Sequence, residues 1–254
     1  FVIGGVDGVG QGWMMLMDCL AAGRAISLPA LSVGAAQLAT RVTGAYGTIR
    51  EQFNTPIGRF EGIEEGLARI GGMTYFMDAT RKLTCAAVDA GEKPAVLSAI
   101  AKAYLTDGMR TVMTDAMDIR AGSAICRGPR NTLGRAFNSI PVGITVEGAN
   151  ILTRSLIIYG QGAIRCHPFV HDEMEAVGAG DVDRFDAAFF GHVNFVYKNG
   201  VRAFILALTG GSFVGAPLNG VTGGYLRQLT RYSAAFALIS DVCLGVMGGS
   251  LKRR

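Results

Sequence analysis

Between Gln11 and Ile119 apolar residues recur at helical spacing in three long stretches, with almost no alternating, strand-like pattern between them. The first runs from Gln11 to Tyr46 through Trp13, Leu16, Leu20, Leu38 and Val42. Pro29 interrupts it, which predicts one kinked helix or two consecutive ones. The second, Ile63 to Ala90, carries Leu67, Ile70, Met77, Leu83 and Val88 and stops at Gly91-Glu-Lys-Pro94. The third, Ala95 to Ile119, carries Leu97, Ile100, Tyr104, Val112, Met113 and Met117. Helices of this length with an apolar stripe bury it against one another. The expectation is therefore an all-α fold: an antiparallel four-helix bundle, its shorter fourth helix after Glu147, with an additional helical C-terminal segment.

After Cys166 the pattern changes. His167-Pro168 breaks the fourth helix, and shorter pieces follow at 169–177, 182–197 and 201–208, then a Gly-rich section and a helix over 225–247. The organisation read from this is 1–10 as the end of a preceding domain and linker, 11–165 as a helical domain, and 166–254 as an extra helical region. The chain enters from Phe1 directly into the Gly-rich turn Gly4 to Gly12 and stops at Leu251 to Arg254 inside a helical pattern, so a longer parent protein is expected. The uncharged run 203–226 is long enough to span a bilayer. Gly210, Gly211, Gly215, Pro217 and Gly220 would leave its backbone unsatisfied in lipid, which favours a helix end followed by a loop.

Half of the residues are hydrophobic and 17% are charged, the balance of a well-buried chain. The formal charge of +4 is spread rather than clustered and has no interleaved aromatics, which argues against nucleic acid as a partner. Cys19, Cys85, Cys126, Cys166 and Cys243 form no CxxC pair and read as buried free thiols.

Four groups carry chemistry. Glu147 lies in the uncharged run Gly143-Ile-Thr-Val-Glu-Gly-Ala-Asn150, ahead of an apolar helical pattern. A carboxylate near a helix end is favoured by the macrodipole, and a carboxylate in dry surroundings is a base; the residues alone leave both open. Arg50-Glu-Gln-Phe53-Asn-Thr-Pro-Ile57 combines a guanidinium, an amide and an aromatic ring, a set able to hold a phosphate and flank a ring system, or to form a plain interhelical turn. Asp118-Ile-Arg-Ala-Gly122 is a turn whose amides could approach a phosphate, although it lacks a nucleotide-binding spacing. His167, His171 and Asp172 have metal-ligand chemistry but no third ligand at a convincing spacing, so no metal is assigned and a capped helix start is the plain alternative.

In order along the chain, Gly10-Gln-Gly-Trp13 with Gly23-Arg24, Arg50 to Ile57, Ala116-Met-Asp118-Ile-Arg-Ala-Gly122 and Val146-Glu147-Gly148 resemble the acyl-coenzyme A dehydrogenases, over roughly residues 3 to 160. The phrases Thr145 to Arg154 and Gly160 to Pro168 look like the long bacterial form, which carries an extra C-terminal region. The resemblance implies FAD as cofactor and a fatty acyl-CoA of medium or long chain as substrate. Glu147 would remove the α-proton, giving a trans-2-enoyl product. It implies flavin contacts from Arg50, Gln52, Phe53, Asp118, Ile119 and Gly122 towards a neighbouring subunit and from Ala149 and Asn150 at the flavin's own-subunit edge. Arg24 and Gly148 would border the substrate. An electron-transfer flavoprotein or similar acceptor, a homodimer or larger homo-oligomer, a bacterial cytoplasmic location and contact with the inner membrane surface belong to the same expectation.

Asn54 stands where the family's loop usually has Gly. Asp118 replaces an amide, Arg120-Ala121 alters a double-Gly turn, and Ala149 replaces a frequent Thr. An acyl-CoA oxidase shares fold and base and is the competing enzyme reading; a non-catalytic helical scaffold is the competing reading from another class.

Overall fold

A computed structural model of the protein describes residues 2–247 and residue 250. The expected final turn at Leu251 to Arg254 lies outside the described residues. A short 3-10 turn precedes α1 (Gly12–Ile49), which is followed by a hairpin of β1 (Glu51–Gln52) and β2 (Thr55–Pro56). Then come α2 (Glu61–Asp89), α3 (Ala95–Arg120), α4 (Gly122–Ile125), α5 (Gly134–Thr145), α6 (Asn150–Leu152) and a π-helical stretch, Thr153–Gln161. The remaining elements are α7 (Gly162–Cys166), α8 (Val170–Ala179), α9 (Val182–Thr209) and α10 (Gly220–Met247). The fold is all-α apart from the hairpin. Its contacts divide into two compact units, Phe1–Tyr159 and Gly160–Arg254.

In the first unit α3 is the central helix and packs on α1, α2 and α5. Val33, Ala36 and Ala39 of α1 meet Leu105, Met109, Val112, Met113 and Ala116 of α3, with Ile70 and Met77 of α2 closing the core. Each large side chain removed from water here contributes roughly 1.5–3 kcal/mol. The bundle's fourth helix is α5, which precedes Glu147, whereas the sequence placed it afterwards. Pro141 lies on the exposed face of α5, and buried Gly143 is where α5 approaches α3: a Cβ there would stand 3.4 Å from Thr106 Cγ2 and 3.6 Å from Met109 Cε. Ile140 and Ile144 supply its apolar contacts with the core.

Pro29 lies inside one continuous helix, α1. Proline has no amide to offer the carbonyl four residues back. That oxygen, on Ala25, instead faces the buried Thr84 hydroxyl of α2 at 2.9 Å, which it shares with Arg81 O, also at 2.9 Å. The charged loop after α1 is a two-residue hairpin, with Phe53 at φ 53° and Asn54 at φ 58°. Left-handed dihedrals at both central positions are what a tight hairpin turn needs, and Asn tolerates them far better than Phe.

In the second unit α9 packs on α8 and α10. It is one helix, not the two pieces expected from Lys198-Asn-Gly200. Asn199 is buried because its Nδ2 donates to the Ala234 carbonyl of α10 at 3.1 Å, and Gly200 faces Leu238. The apolar core of this unit is small, Ala203, Leu206 and Ala234 with Val214 and Leu238 beside them. The run 203–226 resolves into the end of α9, a turn segment and the start of α10. The cysteines are free but not buried: Cys19, Cys126 and Cys166 are exposed and Cys85 and Cys243 half-buried; Cys126 follows the end of α4 and the other four lie on helices.

Candidate active site

Glu147 occupies the turn that joins α5 to α6. Val146 ends α5 in an extended conformation, Glu147 is left-handed at φ 53°, and Gly148 follows at φ 89°. A non-glycine residue in this region costs of order 1–3 kcal/mol and persists only where neighbours fix it. The neighbours are cations from two other helices. Arg24 of α1, 3% exposed, donates Nε to the Glu147 carbonyl at 2.6 Å. Lys102 of α3, fully buried, donates Nζ to Ile144 O at 3.1 Å, Gly148 O at 2.8 Å and Asn150 Oδ1 at 2.8 Å. Thr153 Oγ1 adds a bond to Gly148 O at 3.1 Å.

The Glu147 carboxylate turns back over α1, where Gly23 leaves room: a Cβ at Gly23 would lie 3.5 Å from Oε1 and 3.6 Å from Oε2. Oε2 is buried and has no hydrogen-bond partner among the described residues. Buried carboxylate oxygens are ordinarily satisfied, so this one is a vacant acceptor in a dry place. Gly148 is required twice, by its φ and because a Cβ would meet Arg24 Nη2 at 3.1 Å and Thr153 Oγ1 at 3.3 Å. Burial pushes the Arg24 guanidinium down from its usual range while Glu147 opposes the fall. Burial, with help from Arg24, takes the Lys102 ammonium down to about 8.

The structure thus gathers Glu147, Gly148, Arg24 and Asn150 at one place. The Asn150 side chain is engaged within the bundle: Oδ1 accepts from Lys102, while Nδ2 donates to Ala103 O, Thr106 Oγ1 and Asp107 Oδ1. Ala149 caps α6, and its carbonyl accepts from Thr153 N at 2.8 Å. Lys102 was missed because a lone Lys in an amphipathic pattern reads as solvated surface; its burial comes from carbonyls some forty residues away.

The other expected contacts lie at the far ends of α1 and α3. Arg50, Gln52 and Phe53 are on the exposed hairpin, Phe53 with 92% of its surface open. Asp118 is exposed on the last turn of α3, but the Ile119 side chain belongs to the core, against Gly66, and leaves only its backbone for a ligand. Gly122 starts α4 after Ala121, which adopts φ 48° and ψ −132°. Between the helix ends lies a groove of about 350 Å³ lined by Arg41, Val42, Tyr46, Ile49, Arg120 and Thr132. The Arg120 guanidinium stacks over the Tyr46 ring at 4.7 Å. The walls of this open groove are mostly apolar. The exposed Asp118 carboxylate would oppose a pyrophosphate.

In the second unit His167, His171 and Asp172 do not converge. His171 lies 3.4 Å from Glu175 and Asp172 pairs with Arg184 at 2.9 Å. His167 instead approaches Asp241 Oδ1 at 3.2 Å, too poorly aligned for a hydrogen bond, with His192 alongside. Its Nδ1 accepts from Phe169 N and Val170 N, capping α8. The neutral ring therefore carries its proton on Nε2, so the nearby ligand atoms of His167, His192 and Asp241 do not present three free lone pairs.

Residues 10–160 match the family described as acyl-CoA dehydrogenase, C-terminal domain, and residues 164–254 match acyl-CoA dehydrogenase, C-terminal, bacterial type. The chain is 26% identical over 157 residues to a Mycobacterium tuberculosis protein named probable acyl-CoA dehydrogenase FadE10, covering 58% of this chain and 24% of that one. Among solved structures, butyryl-CoA dehydrogenase of Megasphaera elsdenii superposes with a TM-score of 0.54 at 25% identity, over 60% of this chain and 39% of that one. Glutaryl-CoA dehydrogenase of Mycobacterium smegmatis does so with a TM-score of 0.53 at 25% identity, over 57% and 36%. The chain spans well under half the length of these relatives. With the family matched across most of the sequence and the helical bundle shared with its solved members, the chain belongs to the acyl-CoA dehydrogenase family.

Proposed function

We propose that this chain is the helical half of an FAD-dependent dehydrogenase acting on medium- or long-chain fatty acyl-CoA, with Glu147 as the base that removes the α-proton. The observation that carries this reading is the Glu147 carboxylate: Oε2 is buried and unpartnered, on a turn whose backbone is tied to Arg24 and Lys102. A thioester α-proton is weakly acidic, so its removal needs a base held in one orientation against it. The α-proton would pass to a Glu147 oxygen as the α-carbon develops enolate character, and the Glu147 backbone N–H would stabilise the thioester oxygen. FAD, when bound, supplies the two-electron acceptor for the β-hydride. Arg41, Arg120 and Arg50 would meet its phosphates and Phe53 a ring face, from a chain whose flavin is completed by a neighbouring copy. A homo-oligomer, an electron-transfer flavoprotein as oxidant, a place in fatty-acid β-oxidation and a bacterial cytoplasmic location, at the membrane surface, complete the proposal.

In the full-length enzyme Glu147→Gln should retain flavin and lose bleaching on addition of acyl-CoA under anaerobic conditions. Normal bleaching by that variant would overturn the reading.

A further inference from the structure

Lys102 is a fully buried ammonium whose hydrogen-bond partners are all neutral oxygens. Ammonium groups are seldom taken fully out of water unless a carboxylate pairs with them. Here the nearest relay to a carboxylate runs through the Asn150 amide, which passes on to Asp107 Oδ1 at 3.1 Å. Three donors meet three acceptors, so the ammonium is satisfied, but only while the segment 144–150 keeps its present shape.

The acceptors bracket the candidate base. Ile144 O precedes Glu147 and is among the last carbonyls of α5, which have no helical donor; Gly148 O and Asn150 Oδ1 follow it. Glu147 and Gly148, the two left-handed residues, therefore lie inside a clamp whose jaws close on one nitrogen. Arg24 holds only the Glu147 carbonyl, from the α1 side. Without Lys102 the start of α6 would stay tied to α3 through Asn150 Nδ2, but the Ile144 and Gly148 carbonyls on either side of Glu147 would lose their shared donor, leaving Gly148 O to the Thr153 hydroxyl and the Glu147 carbonyl to Arg24.

We propose that Lys102 is a positioning residue for Glu147: its ammonium clamps residues 144, 148 and 150 so that the strained turn presents the carboxylate in one direction. The inference rests on the reading of Glu147 as the base. A displacement of about 1 Å at a reacting group costs on the order of 100-fold in rate, which sets the scale of the effect.

The test uses the full-length, flavin-loaded enzyme with Lys102→Met, Lys102→Gln and Glu147→Gln. Lys102→Met is expected to slow anaerobic bleaching by acyl-CoA, per bound flavin, about 30-fold or more, with KM changed less than about threefold. Amide hydrogen exchange over 145–150 should accelerate at least tenfold while that of the α1–α3 core is unchanged. Lys102→Gln, which retains two donors, should recover part of the rate. Bleaching by Lys102→Met within threefold of wild type would overturn the proposal, because a lysine that only stabilises the fold leaves loaded molecules fully competent. Should Lys102→Met fail to accumulate, Lys102→Gln is judged by the same threefold criterion. A wild type that bleaches, a silent Glu147→Gln and an unimpaired Lys102 variant together reject the clamp alone. A wild type that does not bleach rejects the functional reading, and the clamp with it.

Discussion

The Thr84 hydroxyl on α2 stands 2.9 Å from the carbonyl of Ala25, the oxygen that Pro29 deprives of its helical amide. A proline in mid-helix ordinarily costs about 3 kcal/mol, part of it for the orphaned acceptor. Here a second helix supplies the missing donor, so the break becomes a contact between α1 and α2. Ala25 directly follows Gly23 and Arg24, the residues of α1 that face Glu147.

Thr84→Val preserves shape and removes the donor, leaving Ala25 O buried and unsatisfied. The expected cost is about 1–3 kcal/mol, read as a lowered melting temperature of the full-length protein, with Thr84→Ser close to wild type. Equal stability for Val and Thr would show that the carbonyl is satisfied elsewhere.

Ala121 closes α3 at φ 48° and ψ −132°, a region in which a Cβ is strained. Its position matches the altered double-Gly turn noted from the sequence. Ala121→Gly is expected to stabilise the protein by about 1 kcal/mol, since strain relief exceeds the added unfolded-state entropy. Thermal or urea denaturation checks the sign, and a loss of stability would argue that the turn is not held in this conformation.

The long helices were legible because their apolar positions repeat over many turns, and the carboxylate at residue 147 stood out because its neighbours are uncharged. What local pattern could not supply was the tertiary use of residues that usually end helices. Pro141 and Gly143 sit within α5 because Gly143 lets it approach Thr106 and Met109. Asn199 continues α9 because its amide is spent on Ala234 of α10 rather than on its own backbone. Lys102 looked like surface for the same reason: its partners come from a segment that only the fold brings near. Ile119 and Asn150, assigned to a cofactor by resemblance, have side chains committed to the core and to the lysine network.

Gly148→Ala tests the turn from the other side. Its φ of 89° disfavours any Cβ, and that atom would be forced to 3.1 Å from Arg24 Nη2. A rise in strain of about 1–2 kcal/mol is expected. Bleaching should slow at least tenfold per bound flavin, because Arg24 must yield and it holds the Glu147 carbonyl. An Ala variant that matches wild type in both melting temperature and rate would contradict the close packing described.

The Lys102 ammonium also makes a prediction about pH. Burial, then Arg24, lowers it from 10.5 to about 8 in the folded chain, against the opposing pull of Glu147 and Asp107. Between about pH 8 and 10.5 the unfolded chain therefore keeps a proton that the folded chain has released. Stability rises with pH wherever the unfolded state binds more protons, so this group's contribution has no slope below pH 8 and favours folding increasingly above it. Melting temperatures of wild type and Lys102→Met, compared over this range, isolate the term because the other titrating groups are common to both. Their difference should stay constant from about pH 6 to 7.5 and then move in favour of the wild type up to about pH 10. A difference moving the other way would mean that the three oxygens of the clamp stabilise the charged lysine more than burial penalises it, and that the ammonium persists through the alkaline range.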